Sequence, residues 1–456
     1  MKISISNTRG FAVAAIAACL ITGCSDSNNS SGSTDSSGNT DGPTVGQPSP
    51  PAAIDACTIS QAQVLSPALQ TEVPGDTQAD LCDFNIMGWE SFLYLTEPAV
   101  EGSNERRFEV TEDYPNYLGK EADSCAAQSN KELLTLLTSA TTGPGGPEAG
   151  TNVEIYSVGP EGSSEGDIVL YNIRFSRNLC GNAGSAATLP DNLVEIKTAW
   201  RYITPDTDAS GYYTVGATLE TGDQVQLGLI GFHLAQTTPL HPEMIWTTWE
   251  HVDNAPDCVP SASSPERPAN GWTMMTNSCA ECIGSDNPSD CTAQCTNSEN
   301  IYINKGRSDQ TGSPPDLADS TNVCRVFPEG TQNVDSQSEQ NRANIRALNE
   351  QIIGEGGYLA KLDPSDPQAI WRNYQMIGGI WFNNEGTLEP TEQRGSLQLA
   401  NTVMETTFQG TFTPGTGGTT SPTGNLNCFV CHQSSSYPAA QSGNLSHIAP
   451  YVNGPN

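Results

Sequence analysis

Fourteen cysteines constrain this 456-residue chain more than any other feature. Thiols in such number persist where they are paired as disulfides or committed to a covalent partner, which points to an oxidising compartment. Four of them have individual readings. Cys19 and Cys24 lie at the N-terminus, and Cys428 and Cys431 belong to Cys428-Phe429-Val430-Cys431-His432. The remainder, Cys57, Cys82, Cys125, Cys180, Cys258, Cys279, Cys282, Cys291, Cys295 and Cys324, is an even set of ten. It allows five disulfides, whose connectivity the sequence does not fix. A zinc site on Cys279, Cys282, Cys291 and Cys295 is the competing reading of that cluster, although exported disulfide-rich loops more commonly explain such spacing.

The N-terminus agrees with export. Lys2 and Arg9 form a basic n-region, Phe11 to Ile21 is apolar, and the run is too short for a transmembrane helix. Residues 1–23 therefore read as a signal peptide. Leu20-Ile21-Thr22-Gly23-Cys24 resembles the lipobox of bacterial lipoproteins, which implies lipidation of Cys24. By the same resemblance Ser25 implies anchoring to the outer membrane, on the periplasmic or cell-surface side. Residues 24–52, rich in Ser, Asn, Gly, Thr, Asp and Pro, cannot bury enough apolar surface to order themselves and read as a disordered tether.

Cys428 and Cys431 have the spacing that places two thioethers on one porphyrin, and His432 follows as an iron ligand, the pattern of covalent haem c attachment. Cys279-Ala280-Glu281-Cys282 has the same spacing with Ile283 after it, so it lacks the ligand. Only 25 residues follow Cys431, and none is Met. A haem there must pack on residues far upstream. His447 or Met404 is the expected sixth ligand, with His251, His233 or an open position as alternatives.

Residues 53–257 read as a β-rich domain with short helices. Val153–Val158, Ile168–Phe175, Leu193–Ile203, Tyr212–Leu219 and Gln226–Leu234 are short β-prone runs between turn-forming clusters, with no helix-length crossovers. Gly88–Leu95 fits a buried helix or a strand, and Lys131–Ala140 a short helix. Residues 258–330 read as a disulfide-rich insertion over that domain. Residues 331–456 read as a helical segment and haem c attachment region packing on the β-domain. Their surest helix begins with the capping box Ser336-Gln337-Ser338-Glu339, and Thr391–Thr406 suggests a further one. The fold class is α+β, with an antiparallel β-rich core domain and C-terminal helices carrying the haem c site, distinct from the small globular class I cytochrome c fold.

Acidic residues outnumber basic ones, 52 to 19. Such a surface repels nucleic acid and anionic headgroups and favours a redox partner protein with a basic docking surface, the membrane being reached through the N-terminal lipid. A second chemical cluster runs from His241 to Pro256. With His233 it gathers three of the five histidines and, with Arg201, it supplies acid and base groups of the kind found beside a peroxidase haem. The structural alternative is a network in which His251 bonds to Asp253 or a backbone carbonyl.

Several segments together resemble a group of exported bacterial cytochrome-c-family proteins. They are Trp89–Leu93, Glu195–Arg201, Gly231–His233, His241–Pro256, Asn401–Thr406, Cys428–His432 and Ser446–Ile448. The resemblance implies one covalent haem c in a large domain. The function then expected is electron transfer by an exported, membrane-anchored protein. The alternatives are a haem enzyme of peroxidase or small-ligand type with a distal His, and a surface binding protein with structural haem.

Overall fold

The computed structural model describes residues 57–75, 79–119, 122–128, 155–158, 165–181, 189–218, 224–258, 264, 266–285, 291–295, 318–319, 321–326, 328–330, 336–382, 393–396, 399–404, 411–412, 419–420, 445–446 and 448–452. The chain divides into two units, Met1–Ala53 and Ile54–Asn456, and every described residue belongs to the second.

That unit is α+β, built on an antiparallel sheet. Helices α1 (Gln61–Leu65) and α2 (Leu81–Thr96) precede it. Its strands are β2 (Leu170–Phe175), β3 (Val194–Tyr202), β4 (Thr214–Thr218), β5 (Gln224–Gln236), β6 (Ile245–His251), β8 (Tyr374–Phe382) and β9 (Gln393–Gly395). The order is β2-β3-β5-β6-β8-β9, and β4 pairs with the first half of β5. Two small pairs stand apart: β1 (Glu165–Gly166) with β7 (Ala318–Asp319), and β10 (Thr411–Phe412) with β11 (Thr419–Thr420). Helices α3 (Asn277–Ile283) and α4 (Thr292–Cys295) lie in the cysteine-rich stretch, and α5 (Ser336–Ile352) precedes β8. Of the β-prone run Val153–Val158, residues 155–158 are described and hold an isolated bridge, Tyr156 to Ile168.

Local chemistry settles what periodicity left open for Gly88–Leu95. Asp80 caps α2, accepting from the N–H of Cys82 at 2.7 Å and of Asp83 at 3.1 Å, while the Asp83 carboxylate accepts from the Asp80 N–H at 2.9 Å. This reciprocal cap satisfies orphan donors and starts a helix. The helix is buried almost all round, so it shows little amphipathic contrast. Gly88 lets it lie close on the sheet, since a Cβ there would sit 2.9 Å from Thr247 Cγ2.

Strand alternation sorts the core into two layers. On the face under α2 and α5, Trp200, Phe232, Leu234, Trp249 and Met376 pack with Trp89, Phe92, Leu348, Ile352 and Trp371. Phe92 stacks on Trp249 at 4.7 Å, and Trp89 meets the same indole edge-on at 5.9 Å. On the other face Ala235, Trp246, Ile377 and Ile380 pack with Leu399, Leu445 and Ile448. Ala199 and Ile230 pack there with Val403 and Met404. The β6–β8 ladder shifts register between Thr248 and Trp249. Beside that shift Asn349 of α5 donates to the Met376 carbonyl at 2.9 Å and accepts from its N–H at 3.1 Å, so backbone groups at the irregularity stay bonded.

Two expected helices differ in outcome. Lys131–Ala140 lies outside the described residues. Across 391–406 the described part holds β9 and then a turn at Thr402–Met404 instead of a helix. Gly395 has φ +83°, and a Cβ on it would lie 2.3 Å from the Gly379 carbonyl oxygen, so this position serves close approach to β8.

Five disulfides use all ten remaining cysteines: Cys57–Cys82, Cys125–Cys180, Cys258–Cys324, Cys279–Cys295 and Cys282–Cys291. The four cysteines weighed as a zinc site are thus two nested disulfides. Five disulfides are compatible with an exported protein. Among the described residues no helix is long and apolar enough to cross a membrane.

Candidate functional site

A cavity of about 470 Å³ opens where β3, the β3–β4 loop and the chain leaving β6 meet the disulfide-rich stretch. Arg201 reaches it from β3, Asp206 to Tyr212 from the loop, and Asp253 from just beyond β6. Ala269 to Trp272 and Asn277 close it from the stretch held by Cys258–Cys324. Backbone bonds fix that wall to the sheet. The Thr273 N–H donates to the Asp253 carbonyl at 2.8 Å, the Met274 N–H to Asn254 at 2.8 Å, and the Val158 N–H to Thr273 at 2.7 Å. At the rim, Asn270 donates to Asp208 at 3.1 Å across the opening between loop and insertion. The Ser210 N–H donates to the same carboxylate at 3.0 Å, and these bonds hold Asp208 below the usual carboxylate range.

Arg201, Tyr212 and His251 form one stack. The His251 imidazole lies on the Tyr212 ring at 4.2 Å and 18°, and the Arg201 guanidinium sits 5.7 Å from the centre of the same ring. His251 donates from Nε2 to the Gly211 carbonyl at 2.8 Å, which leaves Nδ1 to accept from the Asp253 N–H at 3.1 Å. Burial, outweighing the Gly211 bond, pushes its pKa down to about 4, so it is neutral at pH 7. Both ring nitrogens are committed, and this is the bonded arrangement weighed as the structural alternative. Its effect on the cavity is to hold Gly211, Tyr212 and Asp253 in place.

Arg201 is less well bonded. It donates to Val158 O at 3.3 Å and to the Tyr212 and Thr273 hydroxyl oxygens at 3.4 Å each, and among the described residues its buried Nε–H has no acceptor. Among the described residues it joins no ion pair. Burial raises the Asp253 carboxyl above its ordinary pKa, and no side-chain hydrogen bond offsets that among the described residues. Asp167, near enough for Arg201 to lower its pKa, is also raised on balance by burial.

The structure keeps His233 away from this group. It lies on β5 opposite Lys197 and Thr248, on the sheet face opposite to that of His251, with its ring 5.7 Å from Trp246. Burial, with Lys197 adding to it, pushes its pKa down to about 3. On the same face burial raises Glu195 to about 7, and the Ser446 hydroxyl bonds to it. Met404 is fully buried, packed with Val403, Val169 and Tyr171. Cys24, Cys428, Cys431, His432 and His447 lie outside the described residues.

Comparison with family models, with curated proteins and with solved structures finds no match. The membership expected from the cytochrome-c-family resemblance, and the covalent haem c implied with it, are therefore corrected. No family model supports the resemblance, and ten cysteines are joined in disulfides. Among the described residues no group of three or more His, Cys, Asp or Glu side chains gathers to hold a metal. Met404 illustrates the physical reason, since its side chain is part of the apolar packing under the Thr402–Met404 turn. A short motif and scattered segments carry little information about a tertiary site.

The clustering of His241–Pro256 has a structural explanation. His241 Nδ1 lies 2.8 Å from Glu243 Oε1. Glu250 accepts from Arg325 Nε at 2.7 Å and from the Thr402 N–H at 2.9 Å, and Arg325 also donates to Asp257 at 3.0 Å. These buried charges join β6 to the insertion and to the 401–404 turn. Sequence reasoning found Arg201 but not Tyr212, Asn270 or Trp272 as its neighbours. No sequence signal links them, because Asn270 and Trp272 come from a stretch that reads as filler between cysteines.

Proposed function

We propose that the chain is an exported binding protein that takes a small polar ligand in the Arg201–Asp253 cavity. In this reading a lipid on Cys24 holds it to the outer membrane. The observation carrying the reading is a cavity of about 470 Å³ lined by Arg201 and by Asp253, whose carboxylate has no hydrogen-bond partner among the described residues. Ligand sites characteristically combine a concave volume of this order with a few placed polar groups, and buried polar groups without partners are costly unless something bonds to them.

The disulfide-rich stretch then has a role as a preformed wall. Cross-linking and the Asp253, Asn254 and Val158 backbone bonds remove freedom before binding, so less ordering is required of the complex. Calorimetric screening of amino acids, sugars, polyols and small carboxylates against the oxidised protein tests the reading. At least one class is expected to bind, and a bulky Asn270→Trp change on the cavity wall is expected to weaken it. Failure of every class, or binding indifferent to Asn270→Trp, overturns the proposal. Metabolic fatty-acid labelling tests the anchor, which is wrong if a Cys24→Ala chain is labelled as well as the wild type.

A further inference from the structure

We infer that the cavity's ligand is a small zwitterion of net positive charge, its carboxylate meeting Arg201 and an ammonium group meeting Asp253. The inference rests on the cavity being the binding site and names the chemistry that would fill it. Arg201 lines the cavity with a planar fork of donors whose three bonds are long, 3.3–3.4 Å. A carboxylate matches that fork with two parallel bonds shorter than any Arg201 makes now. Tyr212, stacked on His251, lies against the guanidinium and limits where it can turn.

Asp253 presents the complementary charge. Its N–H is spent on His251 and its carbonyl on Thr273, so the backbone carrying the carboxylate is fixed while the carboxylate itself has no hydrogen-bond partner among the described residues. An ammonium group supplies three donors to such an oxygen pair. Among the described residues, the acidic side chains on the wall are Asp206, Asp208 and Asp253 and the one cation is Arg201. That excess favours a ligand carrying more positive than negative charge. A neutral polyol would bring no opposite charge to the Asp253 carboxylate. A basic amino acid satisfies all three conditions, and the cavity has room for one.

Calorimetry on the oxidised protein with L-lysine, L-lysinamide, hexanoate and glucose tests this. L-Lysine is expected to bind, and L-lysinamide, which lacks the carboxylate, about tenfold or more weakly. Hexanoate, which lacks both amines, is expected to bind weakly as well. Arg201→Lys keeps the charge but loses the fork, and should reduce the preference for L-lysine over L-lysinamide. Asp253→Asn, nearly isosteric, should weaken both amines, with circular dichroism confirming that each variant is folded. Equal binding of L-lysine and L-lysinamide overturns the inference. Tighter binding of glucose, sensitive to Asn270→Trp, also overturns it while leaving the binding-protein reading in place. No binding by any probe removes both.

Discussion

The helix-covered face of the sheet and the disulfide-clamped flank are built from different materials. Under α2, Trp89, Phe92, Phe232, Trp249 and Trp371 interlock, and their burial supplies the cohesion. Along the flank, Cys258, Cys279, Cys291, Cys295 and Cys324 form much of the buried cluster, with few large apolar side chains between them. The first face fills its volume with interlocked rings. The second holds its shape by covalent bonds and backbone pairing, and so can border a cavity with unpaired charge. Close packing and an open polar site compete for the same space.

The comparison can be broken most forcefully at Trp249. Trp249→Ala removes the ring on which Phe92 stacks and should cost about 3–5 kcal/mol, measured by denaturant unfolding. A loss below about 1 kcal/mol would mean that the aromatic layer is not the source of cohesion. The next largest effect tests the flank. Replacing Cys258 and Cys324 by Ser opens a 66-residue separation and should cost about 2–4 kcal/mol. Ligand binding should weaken by more than in Trp249→Ala at matched fraction folded. If both variants weaken it equally, the cross-link is a general brace and not a support of the cavity wall.

The smallest effect concerns pH. Glu195 has its folded pKa raised by burial to about 7, so the folded state holds a proton that the unfolded chain releases near its ordinary value of 4.5. Its contribution is therefore fully present below about pH 4.5 and lost as pH rises through about 7. His233 and His251 work oppositely, with folded pKa values near 3 and 4 against 6.5 unfolded. Their contribution is present above pH 6.5 and lost as pH falls toward 3. Glu195→Gln should gain stability relative to wild type as pH rises from 4.5 to 7, by on the order of 1–3 kcal/mol. A difference that stays constant across that interval would show that the carboxyl is not held in its protonated form.

Much of the architecture was legible in the chain. Ile168–Phe175, Leu193–Ile203, Tyr212–Leu219 and Gln226–Leu234 contain β2, β3, β4 and β5 within a few residues, because strand alternation and turn clusters are local signals. In β6, alternation puts Trp249 in the layer under α2 and Trp246 in the layer on the other face. The aromatic run at 371–382 lies in the stretch expected to be a helical segment, yet it supplies β8. A fully buried strand has no polar alternation to mark it, and all but one of the nine β8 residues are buried. The apolar positions in 391–406 misled because Gly395 serves a contact with Gly379 that no local pattern reports.

The candidate site shows the same division more sharply. Arg201 and His251 were legible as chemical groups, but their roles were not. His251 became a bonded support and Arg201 a cavity donor because Gly211, Tyr212, Asp253 and Thr273 happen to converge on them.

By itself the sequence determined the α+β class, the short antiparallel strands and the set of ten cysteines available for pairing. Each depends on neighbours within a few positions or on simple counting. Tertiary structure alone decided which cysteines pair, which aromatics share a layer and where unpaired charge borders a cavity. Those outcomes depend on groups far apart in the chain: Cys258 and Cys324 are 66 residues apart, and Arg201 and Thr273 meet across 72.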